Sequence, residues 1–338
     1  MKQRNQKIDY IKAIGVIGVM VMHLHSPIKY IAPLITNFYI PIFFICSGYT
    51  TSPDKIISLK KKFSSLMFPY LFYYAFFFIL TLLGFVKAGQ NECWGFLYSR
   101  FQVEEINLQS LYIAPSWFLS AMLITFSLYK LVSHLNVSIH LKALMSGTIG
   151  ILVANYCKIN LPWSLENAIM LLSYIYIGQI LRIYINTQKK YIWIIALMII
   201  YSYFSIYNGN VSLSLSDYGS SIVLCYVLPI MAFYILFKLL PSSVSNLNER
   251  KFFRLGSYIG QNSLTIFMSH MLFYGIYKYT LDNNILASIH VFQRYHFLLQ
   301  GGIVCFTVIT TVLTCKWQSL FLAKIKVFIL ENGNSNKQ

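Results

Sequence analysis

Charged residues are scarce in this chain, and acidic residues are the scarcest. Asp, Glu, Lys and Arg make up 11% of its 338 residues, with 10 acidic residues against 27 basic ones. A soluble domain carries about 25% charged residues. The low charge, together with 57% hydrophobic residues, excludes an ordinary soluble domain. The composition indicates instead a protein that crosses a lipid bilayer several times.

Paired cysteines are also missing. The six cysteines show no Cys-x-x-Cys spacing, and most of them fall in apolar runs. Cysteine in such a run acts as a small buried hydrophobic side chain. We therefore expect neither a metal site nor a disulfide framework. The sequence has no internal repeat, so we expect one membrane domain over residues 1–330 and a short polar tail over residues 331–338.

Long apolar segments are abundant. About ten of them have roughly 20 residues, the length that a bilayer requires. They are 8–26, 31–51, 65–86, 115–134, 140–158, 164–185, 190–207, 218–240, 257–279 and 297–316. The predicted fold is therefore all-α, with about ten transmembrane helices. The gap over residues 87–114 is expected to carry a short interfacial helix from Cys93 to Phe101.

The distribution of basic residues tests this assignment of transmembrane segments. The net charge of +17 could indicate nucleic acid as a partner, but no nucleic-acid-binding motif accompanies it. If the N-terminus is inside and the spans alternate, 21 Lys and Arg residues fall on the inner side and 6 on the outer side. This bias is typical of a multi-pass protein of the cell membrane. It predicts an even number of spans, with both termini in the cytoplasm.

The first apolar segment carries ionisable residues. Lys12 and His23 are separated by ten residues, all apolar, and Asp9 precedes Lys12 by one turn. In a helix, Lys12 and His23 would lie roughly 16 Å apart along the axis and on nearly the same face. Ionisable residues in a membrane span usually mark a functional path. The pair could bind a long anionic molecule at one end and react with its far end, with Asp9 pairing with Lys12 and orienting it. Because these charges interrupt the apolar run, we expect a retained helix rather than a cleaved signal peptide.

Several short motifs occur in an order and at a spacing that are typical of one family. They are Asp9 to His23, Phe38 to Tyr49, Lys60 to Tyr70, Ser116 to Leu119, Leu161 to Gly178 and Tyr258 to His270. Together they resemble the acyltransferase-3 family of integral membrane acyltransferases, and within it the branch of fucose 4-O-acetylase-like sugar acetyltransferases. The chain departs from that branch at Tyr39, where His is usual, and at Ala13, where Gly is usual.

This resemblance implies transfer of acetyl from cytoplasmic acetyl-CoA, a co-substrate, to a sugar hydroxyl of a surface polysaccharide or lipid-linked glycan. His23 would act as a general base or take the acetyl group itself, with His270 as a candidate group on the acceptor side. The phosphate end of acetyl-CoA would be bound by Lys12, Lys60, Lys61 and Lys62. The carbohydrate acceptor would be bound by Trp117, Trp163, Asn262 and Ser263. This chemistry requires no metal.

The sequence leaves alternatives open. The two Trp residues are also typical of membrane-interface anchors, Asn262 and Ser263 of hydrogen bonds between helices, and the three neighbouring lysines of a topology signal. Transfer of another acyl group, such as succinyl, would keep the same residue roles. Export or flipping of a polysaccharide without chemistry would use intramembrane charges as a transport path. The oligomeric state stays open. Glu166 and Asp217 are expected to be solvated charges at the outer ends of spans.

Overall fold

The structure, a computed structural model, is mainly α-helical. It describes residues 5–23, 31–52, 58–83, 91–100, 102–103, 108–109, 117–156, 160–185, 191–241, 247–271 and 309–324. Two short strands, β1 (Gln102–Val103) and β2 (Leu108–Gln109), pair antiparallel. The predicted all-α class is confirmed.

The helices are numbered in chain order. They are α1 Gln6–His23, α2 Ala32–Thr36, α3 Pro41–Thr50, α4 Leu59–Leu82, α5 Glu92–Tyr98, α6 Trp117–Ser133, α7 Ile139–Tyr156, α8 Leu165–Tyr184, α9 Tyr191–Asn208, α10 Ile222–Leu239 and α11 Leu247–Gln261. Two further helices are α12 over residues 263–271 and α13 over residues 309–324. Short 3-10 turns lie at Pro162–Ser164 and Leu213–Leu215.

Each of the ten predicted apolar segments overlaps a helix in the described residues. The second segment is divided between α2 and α3, because Pro41 begins a new helix with its fixed φ and no N–H to satisfy. Helix α5 confirms the short helix expected in the long gap. Among the described helices, four stretches have the length and hydropathy of a bilayer span: Ala32–Thr50, Leu59–Leu82, Pro162–Tyr184 and Ile222–Leu239. The count of about ten spans stays a prediction.

Helix α8 packs against α3, α6 and α7 in the interior. Its contact with α3 is made backbone to backbone. A Cβ on Gly48 would collide with the carbonyl oxygen of Ile175, and a Cβ on Gly178 would collide with that of Ile45. Small residues allow such an approach in membrane proteins, where close packing rather than the hydrophobic effect holds helices together.

Helix α1 is positioned by contacts near its start. At the start of α1, the Nζ of Lys7 donates to the carbonyl oxygen of Phe237 near the end of α10, at 3.0 Å. The start of α1 also lies against Gly260, at the end of α11. The start of α1 therefore packs against the end of α10 and against the end of α11. The alternating arrangement of the spans and the position of the termini stay predictions.

Candidate functional site

A cavity of about 190 Å³ lies among α1, α3, α4, α6 and α12. We call it the central cavity. Its polar wall is formed by Lys12, Ser47, Lys62, Ser65 and Ser263. Two ammonium groups and three hydroxyl groups offer donors and positive charge, and they therefore favour an anionic ligand.

The lysines predicted to bind phosphate separate into two groups. Lys62 lines the central cavity with Lys12, and its Nζ also lies 4.1 Å from the centroid of the Phe126 ring. Such a cation–π contact holds an ammonium group in apolar surroundings. Lys60 and Lys61 are exposed at the start of α4. The structure thus brings Lys12 and Lys62 together and leaves their two neighbours on the surface.

The remaining wall of the cavity is apolar and aromatic. Phe118 is central to it, with ring centroids 4.8 Å from Phe267 and 5.6 Å from Phe43. Trp117 precedes Phe118 at the start of α6 and is only 6% exposed. The cavity therefore leads from two lysines toward aromatic side chains at the start of α6, which suits a ligand with a charged end and an uncharged arm.

Asp9 connects α1 to α11. It is 2% exposed, and its Oδ2 accepts hydrogen bonds from Ser257 Oγ and Gln261 Nε2, both at 3.4 Å. The backbone of Asp9 also contacts Gly260. These contacts set the register between the two helices and so place Lys12 beside Ser263.

His23 is the last residue of α1, and the position of its side chain lies outside the described residues. Val16 and Val19 follow Lys12 on the same face of α1, and they are 0% and 1% exposed. The face that carries Lys12 therefore turns toward the interior as far as Val19.

His270 lies on α12 and is 1% exposed. Its Nδ1 is 2.6 Å from the carbonyl oxygen of Phe267. Because a carbonyl oxygen only accepts, Nδ1 carries the hydrogen in this contact, and Nε2 of the neutral ring is the acceptor nitrogen. Ser263, Phe267 and His270 follow the spacing of one helix face, so His270 continues the face that lines the cavity. Asn262 lies at the break before α12, where its Nδ2 donates to the Tyr258 carbonyl oxygen at 2.9 Å.

A second polar site lies where α5, α8 and the loop before α10 meet. Arg100 and Glu166 form an ion pair there, with side chains 0% and 1% exposed. The expectation that Glu166 is a solvated charge was wrong, because an arginine 66 positions earlier in the chain neutralises it in the interior. Asp217 is exposed as expected.

Further hydrogen bonds surround this ion pair. Arg100 donates from a terminal nitrogen to Asn160 Oδ1 at 2.7 Å, and from Nε to the Leu161 carbonyl oxygen at 3.1 Å. The Leu161 N–H donates in turn to Glu166 at 3.1 Å. Ser216 Oγ donates to Glu166 Oε1 at 3.2 Å. We call Arg100, Asn160, Leu161, Glu166 and Ser216 the ion-pair cluster.

Tyr218 extends the hydrogen bonds of this region. It lies in the loop before α10, outside the candidate span Ile222–Leu239. Burial raises the pKa of Tyr218 to about 12. Its hydroxyl therefore stays protonated at physiological pH and donates to Asn167 Oδ1 at 3.1 Å.

Trp163 lies beside the ion-pair cluster and is partly exposed. Its indole N–H donates to the Leu97 carbonyl oxygen in α5, at 2.8 Å. Trp163 and Ser164 have φ values of +58° and +53°. This left-handed backbone costs non-glycine residues about 1–3 kcal/mol each and persists only where surrounding contacts enforce it.

Sequence reasoning missed the ion-pair cluster, although one signal was present. Glu166 falls within an apolar segment, where an acidic residue needs a partner. Arg100 is one of the few basic residues on the predicted outer side. The described residues contain no group of three or more His, Cys, Asp or Glu side chains that could hold a metal ion.

Comparison with family models settles the class of the protein. A family model described as an acyltransferase domain matches residues 5–317, nearly the whole chain. The chain belongs to the acyltransferase-3 family. It is an acyltransferase, and its apolar helices agree with a membrane protein. No curated protein and no solved structure matches the chain.

Proposed function

We propose that this acyltransferase is a membrane O-acetyltransferase of the fucose 4-O-acetylase-like branch. It moves acetyl from acetyl-CoA to a sugar hydroxyl of a surface polysaccharide or lipid-linked glycan. The observation that carries the donor assignment is the convergence of Lys12 and Lys62 on one cavity with an aromatic far wall. The acceptor class rests on the motifs that the chain has in common with the sugar-modifying branch.

The donor would bind with its phosphates at the lysines. Lys12 and Lys62 supply positive charge, and the hydroxyl groups of Ser47 and Ser263 supply hydrogen bonds. Ser263 thus supports donor binding better than the acceptor binding expected from the sequence. The uncharged pantetheine arm would lie along Phe118 and Phe267. Lys60 and Lys61 would attract the nucleotide electrostatically from the surface.

His23 would perform the proton transfer. Its imidazole takes the proton of the acceptor hydroxyl while the oxygen attacks the thioester carbonyl carbon. The C–S bond then breaks, and the CoA thiolate takes the proton from the imidazolium. An acetyl-His23 intermediate is the alternative route. The imidazole attacks the carbonyl carbon first, the C–S bond breaks and CoA leaves as the thiol, which takes the imidazole proton. The sugar hydroxyl then displaces the imidazole, which takes the hydroxyl proton. His270 would assist on the acceptor side.

The predicted topology gives these steps a direction. With both termini in the cytoplasm, the lysines face the cytoplasmic donor, and the end of α1 at His23 faces outward with the ion-pair cluster. Trp117 and Trp163 would then lie on the acceptor side, as the sequence suggested. A bilayer is the only partner that this arrangement requires besides the two substrates.

The decisive experiment measures acetate released by mild base from surface polysaccharide of cells with and without the gene. We expect the wild-type chain to restore O-acetyl groups, and His23→Ala to restore none while remaining in the membrane. His25, the histidine two residues after His23, has no assigned role, so His25→Ala is the control and should restore them. Full activity of His23→Ala would contradict the mechanism. Unchanged acetylation with polymer missing from the surface would instead favour polysaccharide export.

A further inference from the structure

We propose that Arg100 and Glu166 are positioning residues that hold Trp163 as the aromatic platform for the acceptor sugar. This inference rests on the proposed O-acetyltransferase function, and it goes beyond that function by assigning the residues that shape acceptor affinity. Neither charged side chain reaches solvent, so neither can contact the acceptor directly.

Burial of this ion pair costs free energy, and a function of the pair would explain why the chain contains it. The chain has only 10 acidic residues, and one of them is buried against a fully buried arginine. Removing two charges from water is expensive, and a well-packed apolar pair often serves stability equally well. A buried pair that persists in a chain of 57% hydrophobic residues is therefore better explained by geometry than by stability.

The geometry concerns three segments that are distant in sequence. Arg100 follows α5, Leu161 precedes α8, and Ser216 lies in the loop before α10. Arg100 is part of the ion pair, and Leu161 and Ser216 are hydrogen-bonded to it. A fourth segment joins through Ser99, whose Oγ donates to Ser120 Oγ at 2.8 Å in the first turn of α6. The cluster thus fixes the starts of α6 and α8 relative to α5.

Trp163 lies at the point where these restraints meet. Arg100 and Glu166 bind the C=O and the N–H of Leu161, two residues before Trp163. Glu166 itself lies three residues after it. The backbone of Trp163 is held in the left-handed region, and its indole N–H is bonded to Leu97. The Trp163 ring is therefore restrained by the contacts of Leu161 before it, by Glu166 after it, and by the hydrogen bond of its indole N–H.

The restrained ring packs partly against the core, and part of its surface stays exposed. Trp163 is partly exposed, whereas Trp117 is packed into the core. An aromatic face of fixed orientation offers a surface for the apolar C–H face of a sugar ring, and pre-orientation lowers the entropy lost on binding. Loss of the ion pair would free the ring and weaken acceptor binding. It would leave the lysines of the central cavity in place.

The test compares kinetic constants of purified protein in lipid nanodiscs. The donor is acetyl-CoA, and the acceptor probe is surface polysaccharide stripped of acetate by mild base. Arg100→Lys keeps the charge but loses the guanidinium fork that reaches Leu161 and Asn160. We expect the KM for polysaccharide to rise about tenfold, with the KM for acetyl-CoA and the acetyl-CoA hydrolysis rate without acceptor unchanged. Asp217→Asn, next to Ser216 in the loop before α10, is the control and should change none of these constants.

A second pair of variants separates positioning from folding. Trp163→Phe keeps an aromatic face but loses the bond to Leu97, and it should raise the acceptor KM about threefold even if Arg100→Lys folds poorly. In a Trp163→Ala background, Arg100→Lys should add no further increase. Additive effects, or equal losses on both substrates, would overturn the positioning role. A wild-type protein that hydrolyses acetyl-CoA but transfers nothing to the polysaccharide would overturn the proposed acceptor, and this inference with it.

Discussion

Asp9 and Gly260 lie so close together that the carbonyl oxygen of Asp9 occupies the space where a side chain at residue 260 would begin. This contact sets the axial position of α1 relative to α11 and α12. It therefore also sets the distance between Lys12 and Ser263 across the central cavity.

Gly260→Ala should separate the two helices. Its Cβ meets backbone rather than a flexible side chain, so the helices must move apart. We expect a loss of about 2–3 kcal/mol in the free energy of unfolding and a large loss of activity. Thermal unfolding in detergent measures the first and acetyl transfer the second. Gly256→Ala is the matched control, since its Cβ would meet only Tyr10 ring atoms, the nearest at 3.4 Å. A tolerated Gly260→Ala would contradict the close contact.

Lys12→Gln and Lys62→Gln should each weaken donor binding. Each variant removes one charge from the wall of the central cavity, and we expect the KM for acetyl-CoA to rise about tenfold with the acceptor KM unchanged. Lys60→Gln and Lys61→Gln alter exposed lysines and should change the donor KM less than about threefold. Steady-state kinetics at constant ionic strength would measure these effects. Four equal effects would show that the charge of the whole segment matters, not the two cavity lysines.

Cys93 reports the orientation of the protein in the membrane. It is an exposed free thiol on α5, near the ion-pair cluster, whereas Cys46, Cys225 and Cys315 are buried. If the cluster lies on the outer side, a membrane-impermeant maleimide should label intact cells that carry the wild-type chain. Cys157 and Cys305 lie outside the described residues, so both are first replaced by Ser, and Cys93→Ser in that background should remove the label. Labelling that appears only after the cells are opened would reverse the predicted topology.

Ser164→Gly should stabilise the protein. Ser164 has a φ of +53°, which glycine adopts freely, and its buried hydroxyl has no hydrogen-bond partner among the described residues. We expect a gain of about 1 kcal/mol, visible as a higher unfolding temperature. Ser164→Ala removes the hydroxyl but keeps the backbone strain, so its gain should be smaller. An equal gain from both substitutions would assign the effect to the hydroxyl alone.

The sequence predicted the helices well because apolar length and periodicity are local properties. The inward face of α1 was also predictable, since Lys12, Val16 and Val19 follow helical spacing. Which lysine of the Lys60–Lys62 run enters the cavity depends on the rotation of α4 against α1, and no local pattern encodes that rotation.

The ion-pair cluster could not be predicted for a related reason. Arg100 lies in the gap over residues 87–114 and Glu166 in the apolar segment 164–185, and their contact depends on how α5 and α8 pack. The left-handed backbone of Trp163 was not predictable either, because the sequence Pro162-Trp163-Ser164 contains no glycine that would indicate a positive φ. Contacts between distant segments decide both features.

The glycine contact between α3 and α8 has a mechanical consequence. Gly48 and Gly178 bring the backbones of α3 and α8 into contact. Ser47 lies on α3, so the wall of the central cavity that contains it cannot move unless α8 moves as well. Helix α4 forms another wall of the cavity, and only 22% of its apolar stretch is buried, against 72% for the segment Pro162–Tyr184. Pro69 removes one backbone hydrogen bond within α4. Enlargement of the cavity for a bulky nucleotide thus falls to α4, which would swing outward into the lipid about Pro69 and take Lys62 with it.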